Sequence, residues 1–298
     1  MNTSKLALQL AASSLFVTIL GTAHAANVST TVSYDTAGLE RTDLLVPASV
    51  STSGPVSSYV DATSLPPVQL PGRELPHSKY MNLVATANDR SELTANVRDL
   101  RVGGIATTSA SWSDSFVNNS GSSRNYKFNL ALEGVRSVMG GWTRDLDRQD
   151  HQAGFVADVL VNGVSVWRSA QTYTYHAGVA SVIKSGFDVG DAVVQTEPNS
   201  IYAEFTLDHY FGQVDLGTFA NGQSADISYT LTSFARWSDP EGCTLECGHV
   251  YMVISDNNGL NDQRIISAPV PEPESYAMLL GGLGMVGAIA RRRKAAAK

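Results

Sequence analysis

The sequence predicts an all-β protein whose body is an antiparallel β-sandwich or jelly roll, and three observations carry that prediction. From Asn125 to Leu132, Tyr126, Phe128, Leu130 and Leu132 recur at a strict period of two. That spacing puts all four on one face of a strand and scatters them around a helix. Between Asp158 and Trp167, two β-branched runs flank Asn162-Gly163. Both turn residues accept positive φ, so the pair closes a two-residue type I′ hairpin. The third observation is negative: turn residues recur at short intervals and no long capped amphipathic helix separates them, a pattern of packed sheets.

The strands follow in order from about Tyr80. Leu93, Ala95 and Val97, with Asp99 to Val102, form one strand in which Leu100 falls out of phase and marks a bulge. Ser109 to Val117 is a second, with Trp112 and Phe116 four residues apart and on one face. After the hairpin come Gln171 to His176, Ala180 to Lys184, Asp191 to Thr196, Ile201 to Phe211, Ala225 to Arg236 and His249 to Ser255. Asn221-Gly222 and Asn257-Asn258-Gly259 are among the turns between them. Residues 79–267 make up this sandwich domain. Residues 26–78 are rich in Ser, Thr and Pro, stiffest at Leu65-Pro66-Pro67-Val68-Gln69-Leu70-Pro71-Gly72. They read as an edge or linker segment, with edge strands allowed at Asp43 to Ser51 and Val56 to Val60. No repeat of solenoid or propeller period is present.

Charge narrows the partners. Between Ala26 and Ala290 there are 15 Lys and Arg against 28 Asp and Glu, a net of about −13. A basic face for nucleic acid or anionic lipid is therefore not expected, whereas neutral sugars and cations are allowed.

Both ends of the chain read as addresses. Residues 1–25 combine Lys5, an apolar run from Leu6 to Leu20 and Ala23-His24-Ala25. This is the pattern of a secretory signal peptide cut by signal peptidase after Ala25. Residues 268–298 contain, at 270–275, Val270-Pro271-Glu272-Pro273-Glu274-Ser275, a stiff polar spacer that stops ordered structure. Tyr276 to Ala290 then carries no charge and would reach about 22 Å as a helix, short for a bilayer core of about 30 Å unless the membrane thins or flanking cations snorkel. The tail, 291–298, begins with Arg291, Arg292, Arg293 and Lys294, a basic stop that stays cytoplasmic.

The order Val270-Pro271-Glu272-Pro273, short glycine-containing apolar run, arginine cluster resembles the PEP-CTERM sorting signal of Gram-negative bacteria, also labelled the ice-binding protein C-terminal domain. The resemblance covers about the last thirty residues. It implies that a membrane-embedded exosortase recognises Pro271-Glu272-Pro273, removes the tail and releases the body to the cell surface or exopolymer matrix. It implies nothing about what the body binds.

Within the body, few constellations carry chemistry. Cys243 and Cys247 lie in a Pro- and Gly-flanked loop, and export places them where thiols oxidise, so a disulfide closing that small loop is expected. A metal or redox pair would need a tighter spacing or further ligands. His77, His151, His176, His209 and His249 match no zinc motif. Asp145, Asp147 and Asp150 beside His151, and Asp256-Asn257-Asn258-Gly259-Leu260-Asn261-Asp262, offer oxygen ligands for calcium. Neither has EF-hand spacing, and a solvated loop and an Asx turn are the plainer readings, so no cofactor is expected. No nucleophile elbow, phosphate loop or dinucleotide fingerprint occurs. Glu133, Glu197 and Glu204 are carboxylates that a glycosidase pair could draw on, given the right separation. Of the tryptophans, Trp112, Trp167 and Trp237 fall on strands and belong in the core, whereas Trp142 falls in a loop and is the candidate ligand contact for stacking on a sugar. A flat ice face would need a regular threonine array, and along the chain only Thr172/Thr174 and Thr230/Thr232 are so spaced. The reading is thus an exported, non-enzymatic, structural or adhesive β-sandwich of the surface or exopolysaccharide matrix. The alternative is a secreted carbohydrate-active hydrolase or carbohydrate-binding module on a jelly roll.

Overall fold

The computed structural model describes residues 26–35, 49–54, 57–64, 81–100, 104–141, 150–197, 201–237, 249–257 and 264–269. These form sixteen strands: β1 (Asn27–Asp35), β2 (Ser49–Gly54), β3 (Ser57–Ser64), β4 (Met81–Asn88), β5 (Leu93–Leu100), β6 (Gly104–Val117), β7 (Arg124–Gly141), β8 (Asp150–Val161), β9 (Val164–His176), β10 (Val179–Gly186), β11 (Val193–Thr196), β12 (Ile201–Thr206), β13 (Tyr210–Phe219), β14 (Ser224–Trp237), β15 (His249–Asp256) and β16 (Ile265–Pro269). Among the described residues there is no helix long and apolar enough to cross a membrane. The predicted signal peptide and residues 270–298, with the apolar run and the basic tail, lie outside them, whereas Ala268 and Pro269 belong to β16.

All pairings are antiparallel. Sheet 1 runs β10-β9-β8-β14-β6-β1-β2, and sheet 2 runs β11-β12-β7-β15-β5-β4-β3, with β13 and β16 also paired to β7. The two sheets face each other in register of order: β1 meets β3 and β4, β6 meets β4 and β5, β14 meets β5 and β15, and β9 meets β13. Their inner faces supply one core, in which Phe128, Phe155, Tyr173, Phe205 and Tyr229 are fully buried. The cause is the period of two seen in the sequence, repeated along strand after strand with apolar residues on the same side.

The longest strand, β7, organises sheet 2 through one residue. Up to Leu132 its even-numbered side chains face the core, whereas beyond it Val135, Ser137 and Met139 do. Gly134, at φ 60°, takes up the extra residue, and the register to β15 skips there, from Val253 opposite Arg136 to Ser255 opposite Glu133. Such a bulge flips the facing and bends the strand without losing the core. The first half of β7 pairs with β13 and β16, the second half with β12 and β15. The predicted single strand Ile201 to Phe211 is accordingly two, β12 and β13. Its break is beside the bulge, where the Leu207 N–H donates to the Val135 carbonyl at 3.1 Å.

The expected bulge in β5 is present: the registers to β4 and β15 both skip between Val97 and Leu100, which leaves both side chains fully buried. The hairpin also forms as predicted, Asn162 and Gly163 having φ of 51° and 77° between β8 and β9. Residues 26–78 require a correction. β2 and β3 are edge strands, but β1 lies inside sheet 1 between β2 and β6, with Val28, Val32 and Tyr34 in the core. Ser and Thr at its alternate positions lowered its apparent hydrophobicity without disturbing its alternation.

The two long flanks of the sandwich differ. On one, Thr30, Thr52 and Ser58 of β1, β2 and β3 share hydrogen bonds of 2.5–2.9 Å and draw the sheets together. On the other, β10 and β11 end their sheets, and Trp167, Phe187 and Tyr210 pack with ring centroids 5.8–6.3 Å apart.

Candidate functional site

Three places combine unusual chemistry with defined geometry. The first is the root of the C-terminal tail. The alternation of Val250, Met252 and Ile254 continues to Asp256, which therefore points into the core and is fully buried. Tyr229 donates its hydroxyl proton to Asp256 Oδ2 at 2.8 Å, and the Ala131 N–H donates to the same oxygen at 3.2 Å. Arg264 Nη2 lies 2.8 Å from Oδ1, an ion pair without hydrogen-bond alignment. The guanidinium also donates to the Asn129 carbonyl at 3.0 Å and to the hydroxyl and carbonyl of Ser91. It sits over the Phe128 and Tyr229 rings, 5.4 and 5.7 Å from their centroids. Burial pushes the Asp256 carboxyl above its ordinary range, opposed by Arg264 and the hydrogen bonds it accepts. Burial, then the neighbouring carboxylate, holds the Tyr229 phenol protonated.

Asp256 is thus no calcium ligand at a surface loop. It is half of a buried ion pair that ties the β4–β5 turn, β7, β14 and β15 to the residue before β16. From there β16 runs along Phe128–Arg124 of β7, and the Asn129 N–H donates to the Arg264 carbonyl at 2.7 Å. The motif that opens the predicted tail follows Pro269 directly in the sequence.

The second place is the outward face of sheet 1. Registration across strands aligns Ser53, Ser29, Ser111 and Thr230 in one row and Ser51, Thr31, Ser109 and Thr232 in the next. Rows lie about 7 Å apart and neighbours within a row about 4.8 Å. Ser109–Thr232 and Ser111–Thr230 share hydrogen bonds of 3.0 and 3.1 Å. Few of these pairs are near in sequence, so the array is invisible along the chain. At one end of this face, Asn27, Ser113, Asp114, Gly163, Asp226 and Ser228 line an open groove of ≈ 320 Å³.

The third is a histidine at one end of the core. His151 stacks on Trp237 with centroids 6.2 Å apart and planes 12° apart. Neither of its ring nitrogens has a hydrogen-bond partner among the described residues, and nor has Trp237 Nε1. Burial, then His249, lowers its pKa to about 4, against a small opposing pull from Asp150.

Of the sequence candidates, Trp112, Trp167 and Trp237 are in the core as expected. Asp150 and His151 fall on opposite faces of β8, Asp150 beside His176 Nδ1 and His151 inward, so they share no calcium site. Glu204 is held by Arg136 Nε at 2.6 Å and Tyr202 Oη at 2.5 Å, which depress its pKa. Glu133 flanks the β7 bulge and Glu197 follows β11. Among the described residues no group of three His, Cys, Asp or Glu is placed to hold a metal. Trp142, Cys243, Cys247, Asp145, Asp147, Ala23, Ala25 and the whole segment from Val270 through Arg291–Lys294 lie outside the described residues.

Comparison with known proteins bears on the tail. No curated protein matches the chain. A family model does, and its match starts on the last residue of β16, taking in Val270, Pro271, Glu272, Pro273, the apolar run and Arg291 to Lys294. The all-β body therefore leads without an intervening segment into residues 269–294, which are a PEP-CTERM protein-sorting motif.

Proposed function

We propose that this chain is an exported structural or adhesive β-sandwich, delivered by exosortase to the cell surface or exopolymer matrix and without catalytic activity. The observation that carries the reading is the sorting motif at 269–294, attached directly to the final strand of a two-sheet body. Signal peptidase would remove residues 1–25 and exosortase the segment beyond Pro271-Glu272-Pro273. Cys243 and Cys247 would oxidise to a disulfide after export. The hydroxyl rows and the groove at Asn27, Asp114 and Asp226 support contact with a neutral exopolysaccharide, because hydroxyls and carboxylates exchange hydrogen bonds with sugar hydroxyls without needing an opposite charge.

A second reading, a carbohydrate-binding module proper, rests on the same groove. A hydrolase has less support, since the Arg136 and Tyr202 contacts keep Glu204 ionised and unsuited to act as a general acid. Intact mass of the native protein from culture supernatant and membrane fractions, with and without reduction, tests the proposal. A released chain lacking 1–25 and the run after Pro273, gaining two daltons on reduction, is expected. A chain found solely in membranes and still bearing Arg291–Lys298 would overturn release to the matrix.

A further inference from the structure

We infer that the outward face of β13 and the first half of β7 is a binding site for a neutral glycan, with Phe211 as its stacking platform and the amides of Gln213 and Asn129 as its polar rim. The site lies on sheet 2, away from the groove already described on sheet 1, and it rests on the proposed reading for its class of ligand alone.

The sequence sets the facing. Tyr210 turns inward, where its ring stacks on Trp167 with centroids 6.3 Å apart and meets Phe187 at 5.9 Å. It also lies across Gly212, where a Cβ would collide with the Tyr210 hydroxyl. With Tyr210 fixed inward, the residues on either side of it face out. The His209 and Phe211 rings are parallel to within 4°, with centroids 6.2 Å apart. Rings at that distance are offset, so neither covers all of the other's face. Phe211 is 57 % exposed, and Ala131, opposite it on β7, brings only a methyl group.

One step along the strand the same face turns polar. Gln213 stands opposite Asn129 and donates from Nε2 to Asn129 Oδ1 at 3.2 Å. That single bond leaves Gln213 a second N–H and its carbonyl oxygen. Next come Asp215 and Lys127, opposite each other in register, with Asn125 Nδ2 and the Gly217 N–H donating to Asp215 Oδ1 at 2.9 and 2.8 Å. The carboxylate is thus held in place and faced by a cation. From Phe211 to Asp215 this surface offers donors and acceptors without net charge.

Those features select the ligand. A pyranose offers C–H groups on one face and hydroxyls around its rim, and an aromatic ring bordered by amides matches both at once. Single-stranded nucleic acid also stacks on aromatic rings, but it needs a cationic groove, and here the lysine stands opposite an aspartate in a strongly acidic body. A protein partner would need an apolar patch of several hundred Å², roughly speaking, whereas Phe211 is bordered by His209, Gln213 and Asn129. A neutral sugar satisfies the ring and the amides together.

Titration calorimetry of the exported chain with cellohexaose, laminarihexaose and mannohexaose tests the site. At least one of these neutral hexasaccharides is expected to bind with a dissociation constant at or below about 1 mM. Phe211→Ala should weaken that binding about tenfold or more, whereas Phe211→Tyr, which keeps a ring, should stay within about twofold of the wild type. Gln213→Ala should weaken it several-fold. If Phe211→Ala loses its β-sheet spectrum, Gln213→Ala takes its place, and undiminished binding there overturns the site. Binding by none of the three sugars overturns it as well, together with the sugar reading of the groove on sheet 1. Binding that survives Phe211→Ala overturns the site; if the same binding is lost in Asp226→Ala, the groove reading still stands. A loss in Phe211→Tyr as large as in Phe211→Ala overturns the stacking platform.

Discussion

The two flanks of this sandwich solve the same problem in opposite ways. Where β1, β2 and β3 meet, small hydroxyl side chains bridge the sheets, and among the described residues Tyr59 is the one large apolar side chain exposed there. Where β10 and β11 end the sheets, large rings wedge between them and valines, an isoleucine and phenylalanines are left facing outward. Hydroxyls can close an edge because each satisfies its neighbour locally and leaves nothing sticky behind. Aromatic packing fills more volume, yet it leaves apolar side chains facing outward. One flank is thus a seam, and the other is unfinished surface.

Four substitutions or conditions sharpen that contrast, starting from the core that both flanks share. Arg264→Met leaves Asp256 buried without its cation and is expected to cost about 3–5 kcal/mol in denaturant unfolding; a loss under about 1 kcal/mol would show that β16 is not pinned there. The next effect is set by pH. His151 has a folded pKa of about 4 against an ordinary 6.5, so its contribution is intact above 6.5 and is lost as pH falls toward 4. That loss amounts to about 3 kcal/mol at most. His151→Phe should flatten the melting temperature over pH 4–6.5, and an unchanged slope would reject the assignment. On the closed flank, Thr30→Val strips the hydroxyl shared with Thr52 and Ser58 and should cost about 1–3 kcal/mol in denaturant unfolding. On the open flank, Phe187→Ser removes a half-exposed ring that packs on Trp167 and Tyr210 and should cost less than about 2 kcal/mol, read by denaturant unfolding. If Phe187→Ser cost clearly more than Thr30→Val, the contrast between the flanks would be wrong.

Much of the fold could be read from residue order alone, and what could not has physical causes. The Tyr126–Leu132 strand, the Asn162-Gly163 turn and the β5 bulge at Leu100 each announce themselves through spacing within a few residues. The interior position of β1 did not, because its outward serines and threonines resemble a linker until β2 and β6 are laid beside it. The hydroxyl rows escaped for a similar reason, since Ser29, Ser111 and Thr230 become neighbours only through register. The sorting motif was fully legible, because all of its parts lie in one continuous run of residues. The buried Asp256 had a signal too, the unbroken alternation from Val250, but its surroundings of asparagines and glycine pointed to a turn. Its partner Arg264 lay across residues that carry no period, and no local pattern joins the two.

Pro269 gives the molecule an unusually short leash. It is paired with Arg124 at the end of β16, and Pro271 follows two residues later, within about 7 Å of extended chain. If, as proposed, an exosortase acts at Pro271-Glu272-Pro273, it would have to work close beside the folded body, next to the Arg124 end of β7. On that reading, the pairing of β16 with β7 decides which end of the body lies nearest the sorting motif.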